Sequence, residues 1–170
     1  LVTAPINKDL SYSKSFKYRG HTEFFKHYFS TNPLMLMISE EIKIALLTDH
    51  IPLKDVSNAI NKDIVEQKIK ALETSLIKDF QIKKPKIAVL AVNPHAGDNG
   101  VIGNEDQSII TPAINSFKGT TSSINGPFSA DTFFVNENYK KYDGIIASYH
   151  DQGPVSYTHL RAHETRHSRV

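Results

Sequence analysis

The chain has 170 residues, 39% hydrophobic and 22% charged, the balance of a globular domain with a sizeable core and not of a disordered segment. Its longest aliphatic runs, at 34–38 and 87–92, fall far short of the roughly 20 apolar residues that span a bilayer as a helix. The lack of cysteine removes disulfides and thiolate chemistry and suits a reducing, cytoplasmic setting. Of 20 basic and 18 acidic residues, three arginines and one glutamate lie in 155–170, so the remaining body carries 17 of each and no nucleic-acid footprint. No basic-then-apolar leader opens the chain, which starts at Leu1 on strand-like residues, as an internal piece of a longer protein would.

Residues 1–4 (LVTA) form the first of four short aliphatic runs, the others being 42–47, 86–92 and 144–149. Such runs, bounded by turn residues and lacking polar alternation, predict strands of a parallel sheet covered on both faces. Ahead of the second run, Gly20-His21-Thr22-Glu23 offers an imidazole and a hydroxyl at a helix start. That arrangement reads either as a phosphate or carboxylate site or as a simple capping box on Thr22. Between the second and third runs, Val56, Ile60, Ile64, Ile69, Leu72 and Leu76 recur at helical spacing. Asp55 and Asn61 are their candidate caps, with a break near Asn61.

After the third run comes NPHAGDNGVIG, residues 93–103. Its glycines at 97, 100 and 103 are spaced G-x-x-G-x-x-G and so do not form a dinucleotide fingerprint. They predict a sharp backbone turn around His95. A weaker helix follows over 105–117, closed by Lys118-Gly119. Asn125-Gly126-Pro127 reads as a turn, and Asp131 as a cap or a functional carboxylate. Strand, helix, strand, helix and strand in alternation predict an α/β fold. The segment after Pro154 has His159, His163 and His167, three arginines and no apolar periodicity. It reads as a disordered or foreign tail.

The histidines carry the chemistry. His50, His95 and His150 each stand three residues beyond the last aliphatic residue of a predicted strand (Leu47, Val92 and Ala147). If the strands are parallel, these ends share one edge of the sheet, where α/β folds bind ligands. Three neutral imidazoles with an open fourth position suit a divalent metal. Singly, each histidine is equally an ordinary loop residue or core hydrogen-bonder, and pattern alone leaves both readings open. Asp151, beside His150, is placed to orient an imidazole or assist a proton transfer, or is a plain surface charge.

Taken in order, LVTAPINK, GHTEFF, TDHIPL, NPHAGDNGVIG, NGPFSADT and YHDQG, spanning residues 1–153, resemble the 4-hydroxythreonine-4-phosphate dehydrogenase family of vitamin B6 biosynthesis. The resemblance implies an isocitrate/isopropylmalate dehydrogenase-like α/β fold, parallel-rich and flanked by helices, with a cleft between two domains of a cytoplasmic homodimer. Residues 1–153 would be its central substrate, metal and dimerisation part, incomplete at both ends. It implies His50, His95 and His150 as ligands of one divalent ion (zinc, magnesium or cobalt), with one histidine from the neighbouring subunit. His21 and Thr22 would bind the phosphorylated hydroxy amino acid. Asp131 and Asp151 would lie near the site, and Lys8 is a candidate base or a structural ion-pair partner. The implied reaction is NAD- or NADP-linked oxidation of 4-phosphohydroxy-L-threonine to a 3-oxo acid, which decarboxylates to 3-amino-2-oxopropyl phosphate.

One departure stands out. The family follows YHDQG with a lysine, then an asparagine and an arginine, whereas Thr158 occupies the lysine's place, eight residues after His150. The expectation is that these 170 residues alone have little or no activity. A related phosphothreonate dehydrogenase and a non-catalytic metal-binding remnant are the competing readings.

Overall fold

The computed structural model describes residues 17, 18, 20–29, 33–49, 51–135 and 137–153. The expected strand at 1–4, Lys8, His50 and the 154–170 tail lie outside the described residues. The chain divides into two compact units, Leu1–Pro33 and Leu34–Val170.

In the first unit, α1 (His21–Phe29) carries Glu23 in its first turn and Lys26 and His27 in its last, each sign matching the helix dipole. Aromatic contacts line it, with Tyr18 edge-on to Phe24 and Phe24 stacked on Tyr28. The Phe24 amide bonds the Gly20 carbonyl, so Thr22 sits inside the first turn. The expected capping box on Thr22 is therefore not formed.

The second unit is built on a five-stranded sheet in the order β1-β2-β5-β3-β4, from β1 (Leu36–Ile38), β2 (Lys43–Leu46), β3 (Lys86–Leu90), β4 (Ser123–Phe128) and β5 (Gly144–Ala147). Strands β2, β5, β3 and β4 run parallel, and β1 pairs antiparallel with β2. Three of the four predicted runs are thus strands of one parallel sheet. Strand β4 contains Asn125-Gly126-Pro127, which the sequence reading made a turn. The segment is extended here because it forms the edge beside β3, where a proline without an N–H is tolerated.

Period-two side-chain alternation divides the core between the two faces. Ala45, Ile87, Val89 and Ile146 pack with α3 (Lys62–Lys78) on one side. Ile44, Leu46, Ala88, Leu90, Ile145 and Ala147 pack with α5 (Ala130–Val135) on the other, through Phe133 and Phe134. Burial of both faces explains why these strands read as unbroken aliphatic runs. The predicted helical stretch does break, into α2 (Val56–Ala59) and α3. Ile60 is extended, and the Asn61 side chain accepts the Ile64 amide at 3.0 Å as a helix cap. Asp55 makes no side-chain cap. Helix α3 buries Val65, Ile69, Leu72 and Leu76, with Ile64 only half-buried. The 105–117 region is a π-turn, Asp106–Ile110, leading into α4 (Thr111–Asn115).

Candidate functional site

The carboxyl ends of β2, β5 and β3 lie side by side, because these strands are adjacent and parallel. From β3 the chain runs through Val92 and Asn93 into the turn Pro94–Gly100, where His95, Ala96, Gly97, Asp98 and Asn99 all take left-handed backbone angles. Such a run is costly for residues with side chains, and neighbouring groups hold it in place. Asp106, 1% exposed, accepts the Val92 amide (2.7 Å), the Asn93 amide (3.0 Å) and the Asn93 side-chain nitrogen (3.2 Å). Glu105 accepts the same Asn93 side chain at 2.8 Å and the Ser57 hydroxyl at 2.7 Å. Those two donors, Ser57 first, hold the Glu105 carboxyl below its ordinary value. At Gly97 a Cβ would lie 2.5 Å from the Gly103 carbonyl oxygen, so only glycine fits between the two limbs of the turn.

This turn brings His95 to the first turn of α5, where Asp131 Oδ2 lies 3.8 Å from His95 Nδ1. The Ser129 hydroxyl donates to Asp131 Oδ1 at 2.6 Å and the Thr132 amide at 2.8 Å. These two bonds, with His95 adding to them, hold the Asp131 carboxyl below its ordinary value. Beyond β5, His150 Nδ1 pairs with Asp151 Oδ1 at 2.9 Å. Gln152 then folds back, its Oε1 accepting the Ser148 amide (2.7 Å) and its Nε2 donating to the Ala91 carbonyl (2.8 Å).

A cleft of about 340 Å³ opens here, lined by residues that include Asn93, His95, Ser129, Asp131, Tyr149 and Asp151. Among the described residues its lining includes Asp131 and Asp151 and no lysine or arginine, a balance that favours a cation over a phosphate. A carboxylate on Nδ1 keeps the proton there and leaves the Nε2 lone pair available, the usual arrangement of a metal-ligating histidine. His150 has such a carboxylate in hydrogen-bond contact, whereas His95 has Asp131 nearby at 3.8 Å, beyond hydrogen-bond distance. The donor chemistry fits a divalent ion. Among the described residues no three ligating side chains form a metal cluster.

Of the residues picked from sequence, the structure brings His95, Asp131 and Asp151 to one cleft and places His150 beside it, on Asp151. His21 and Thr22 lie on α1 in the other unit, while His50 and Lys8 fall outside the described residues. Sequence reasoning missed the supporting groups Asn93, Glu105, Asp106, Ser129 and Gln152. Their usable signal was position, since each lies within or just after a motif bearing a histidine or Asp131. No helix among the described residues is long and apolar enough to cross a membrane.

The chain matches the family model described as pyridoxal phosphate biosynthetic protein PdxA over residues 1–165. It is 41% identical over 155 residues to a 4-hydroxythreonine-4-phosphate dehydrogenase of Bacteroides thetaiotaomicron, covering 90% of this chain and 43% of that protein. With the enzyme of the same name from Wigglesworthia glossinidia brevipalpis the identity is 43%, over 90% of this chain and 46% of the relative. Among solved structures, the 4-hydroxythreonine-4-phosphate dehydrogenase of Klebsiella pneumoniae superposes with a TM-score of 0.83 at 33% identity, covering 92% of this chain and 47% of that one. The chain therefore spans under half the length of these relatives. The fold shared with the solved enzyme is the isocitrate/isopropylmalate dehydrogenase-like architecture expected from the motifs. With its six motifs, its fold and the family model all in agreement, the chain belongs to the pyridoxal phosphate biosynthetic protein PdxA family.

Proposed function

We propose that the chain supplies the metal- and hydroxyl-binding part of an NAD- or NADP-linked dehydrogenase. Its substrate would be 4-phosphohydroxy-L-threonine, oxidised to the 3-oxo acid that decarboxylates to 3-amino-2-oxopropyl phosphate in pyridoxal phosphate biosynthesis. One observation carries this reading: a cleft at the carboxyl ends of adjacent parallel strands, edged by two imidazoles that each have an aspartate within 4 Å of Nδ1, in a chain of this family. His50, His95 and His150 would hold one divalent cation (zinc, magnesium or cobalt), with one histidine from the neighbouring subunit of a cytoplasmic homodimer. When bound, the cation supplies Lewis acidity toward a hydroxyl and the nicotinamide supplies a hydride acceptor.

The chain's own residues act around that chemistry. Asp151 would orient the His150 ring through its contact with Nδ1, and Asp131 would do the same for His95 on closing from its 3.8 Å separation. Ser129 and the Thr132 amide keep Asp131 ionised for that task. His21 and Thr22 would bind the phosphorylated end, as the family resemblance implies. Binding there supplies orientation remote from the reacting carbon. Lys8 would take the hydroxyl proton or serve as an ion-pair partner, two roles that the pH–rate profile of Lys8→Met separates.

The test is to assay the full-length protein carrying these residues with 4-phosphohydroxy-L-threonine, each nicotinamide and each metal. Equal yields of reduced nicotinamide and carbon dioxide, lost with a chelator and restored by metal, are expected. His95→Ala should lower kcat/KM at least about 100-fold. Faster turnover of a phosphothreonate would reassign the substrate. No turnover of either compound would leave the non-catalytic, metal-binding reading.

A further inference from the structure

The buried polar side chains of the sheet unit cluster where the histidines emerge. Among the described residues they are Thr48, Asp106, Ser122 and Ser148, and three of the four sit at the carboxyl ends of β2, β3 and β5. The motifs T-D-H, N-P-H and S-Y-H place a short hydrogen-bonding residue two positions before each histidine: Thr48, Asn93 and Ser148. All three are engaged. The Thr48 hydroxyl donates to the Ser148 carbonyl at 2.8 Å, and the Thr48 amide donates to the same oxygen at 3.2 Å. The Ser148 hydroxyl reaches the Ala91 carbonyl at 3.4 Å. Gln152 ties the Ser148 amide to that same carbonyl, and Asp106 takes three donors from Val92 and Asn93.

Backbone pairing between β5 and β3 ends at Val89 and Ile146. Beyond it, neighbouring loops would be free to separate unless other hydrogen bonds took over. Between β2 and β5 backbone bonds continue, from the Leu47 amide to the Ala147 carbonyl and from the Thr48 amide to the Ser148 carbonyl, and the Thr48 hydroxyl reinforces them. Between β5 and β3 the Ser148 and Gln152 side chains carry the connection on, and Asp106 anchors the loop after β3. Buried donors and acceptors of this kind are expensive to leave unpaired, so the arrangement has one low-energy form. Ligand sets tolerate displacements of only about 0.5 Å.

We propose that Thr48, Ser148, Gln152 and Asp106 are positioning residues that fix the lateral spacing of the three histidine loops and thereby set divalent-cation affinity without touching the cation. This inference rests on the metal reading above. Ser122 is the internal control. It is equally buried but precedes β4, at the opposite end of the sheet, and bonds Glu73 on α3.

The experiment is equilibrium dialysis of Co²⁺ against the full-length protein and its variants, with thermal midpoints recorded alongside. Gln152→Met and Asp106→Asn should weaken Co²⁺ binding about 10- to 100-fold, the usual range for groups that orient ligands. Ser122→Ala should lower the thermal midpoint yet leave Co²⁺ affinity within about two-fold, as expected for a group outside the ligand-orienting layer. Thr48→Val keeps side-chain shape and loses the hydroxyl. It should weaken binding, and Thr48→Ser should restore it, a comparison that stands even if Asp106→Asn fails to fold. The proposal is overturned if wild-type protein binds Co²⁺ and Thr48→Val and Gln152→Met bind it as tightly as Ser122→Ala does. A wild-type protein that binds no Co²⁺ would instead overturn the metal reading, and this inference with it.

Discussion

Two glycines with similar backbone angles separate conformational cost from steric cost. Gly97 has φ +78° and Gly119 has φ +87°, so alanine at either site must adopt a left-handed conformation, worth about 1–2 kcal/mol. Around Gly119 nothing lies within 4 Å of an added Cβ, whereas at Gly97 the Gly103 carbonyl oxygen would be 2.5 Å away. Relieving that overlap moves backbone and adds a further 1–3 kcal/mol or so, as in overpacked cores. Gly119→Ala should therefore destabilise by about 1 kcal/mol and Gly97→Ala by about 3 kcal/mol, read from urea denaturation midpoints at unchanged m-value. His95 lies two residues from the overlap, so Gly97→Ala should also weaken Co²⁺ binding while Gly119→Ala should not. Two variants equal within about 0.5 kcal/mol would refute the reasoning, since that is the ordinary error of additive comparisons.

Other outcomes are expected. Asn61→Ala removes the side-chain cap on Ile64 and should cost about 1 kcal/mol in thermal or urea unfolding. Asp131→Asn removes the carboxylate charge from His95 Nδ1; kcat/KM of the full-length protein should fall roughly 10- to 100-fold with little change in melting temperature, since the pair is exposed. Glu105 has a folded pKa held below its ordinary 4.5 by Ser57 and Asn93. Its contribution to stability is thus fully present above that value and lost as pH falls through the folded pKa. Glu105→Gln should flatten the acid limb of a stability–pH profile and leave the neutral region's slope unchanged. Finally, purified 1–170 with substrate, nicotinamide and metal should show little or no nicotinamide reduction, and sustained turnover would contradict that expectation.

The legible parts of the fold were those where burial on both faces leaves a plain mark. Ile44, Leu46, Ile87, Val89, Ile145 and Ile146 are buried in central parallel strands, and central strands read as aliphatic runs. Strand β4 was not legible, because an edge strand containing Asn125-Gly126-Pro127 has the composition of a turn. In α3 the period is readable, but the core position is Val65 and not the half-buried Ile64 of the predicted stripe. At the site, the placement of His95 and His150 beyond the carboxyl ends of neighbouring parallel strands followed from sequence alone, but not their register. His95 stands five residues past Leu90, the end of β3, and His150 three past Ala147, the end of β5. The pairing of His95 with Asp131, 36 positions along the chain, did not, since it depends on how β4 delivers α5 to the β3 turn. Asp106 was hidden for a related reason. A carboxylate in a helical stretch reads as solvated surface until a fold shows which amides it faces.

The strand order has a further consequence for how the chain reaches its native state. Strands β2 and β3 do not pair with each other; both pair with β5, the last strand of the five in sequence. Until Gly144–Ala147 has been synthesised, the nascent chain holds two separate ribbons, β1–β2 and β3–β4, each with an apolar edge awaiting the same missing strand. Open edges bearing Ile44, Leu46, Ile87 and Val89 are templates for intermolecular pairing. Premature termination anywhere upstream of Gly144 would thus leave both edges open to such pairing.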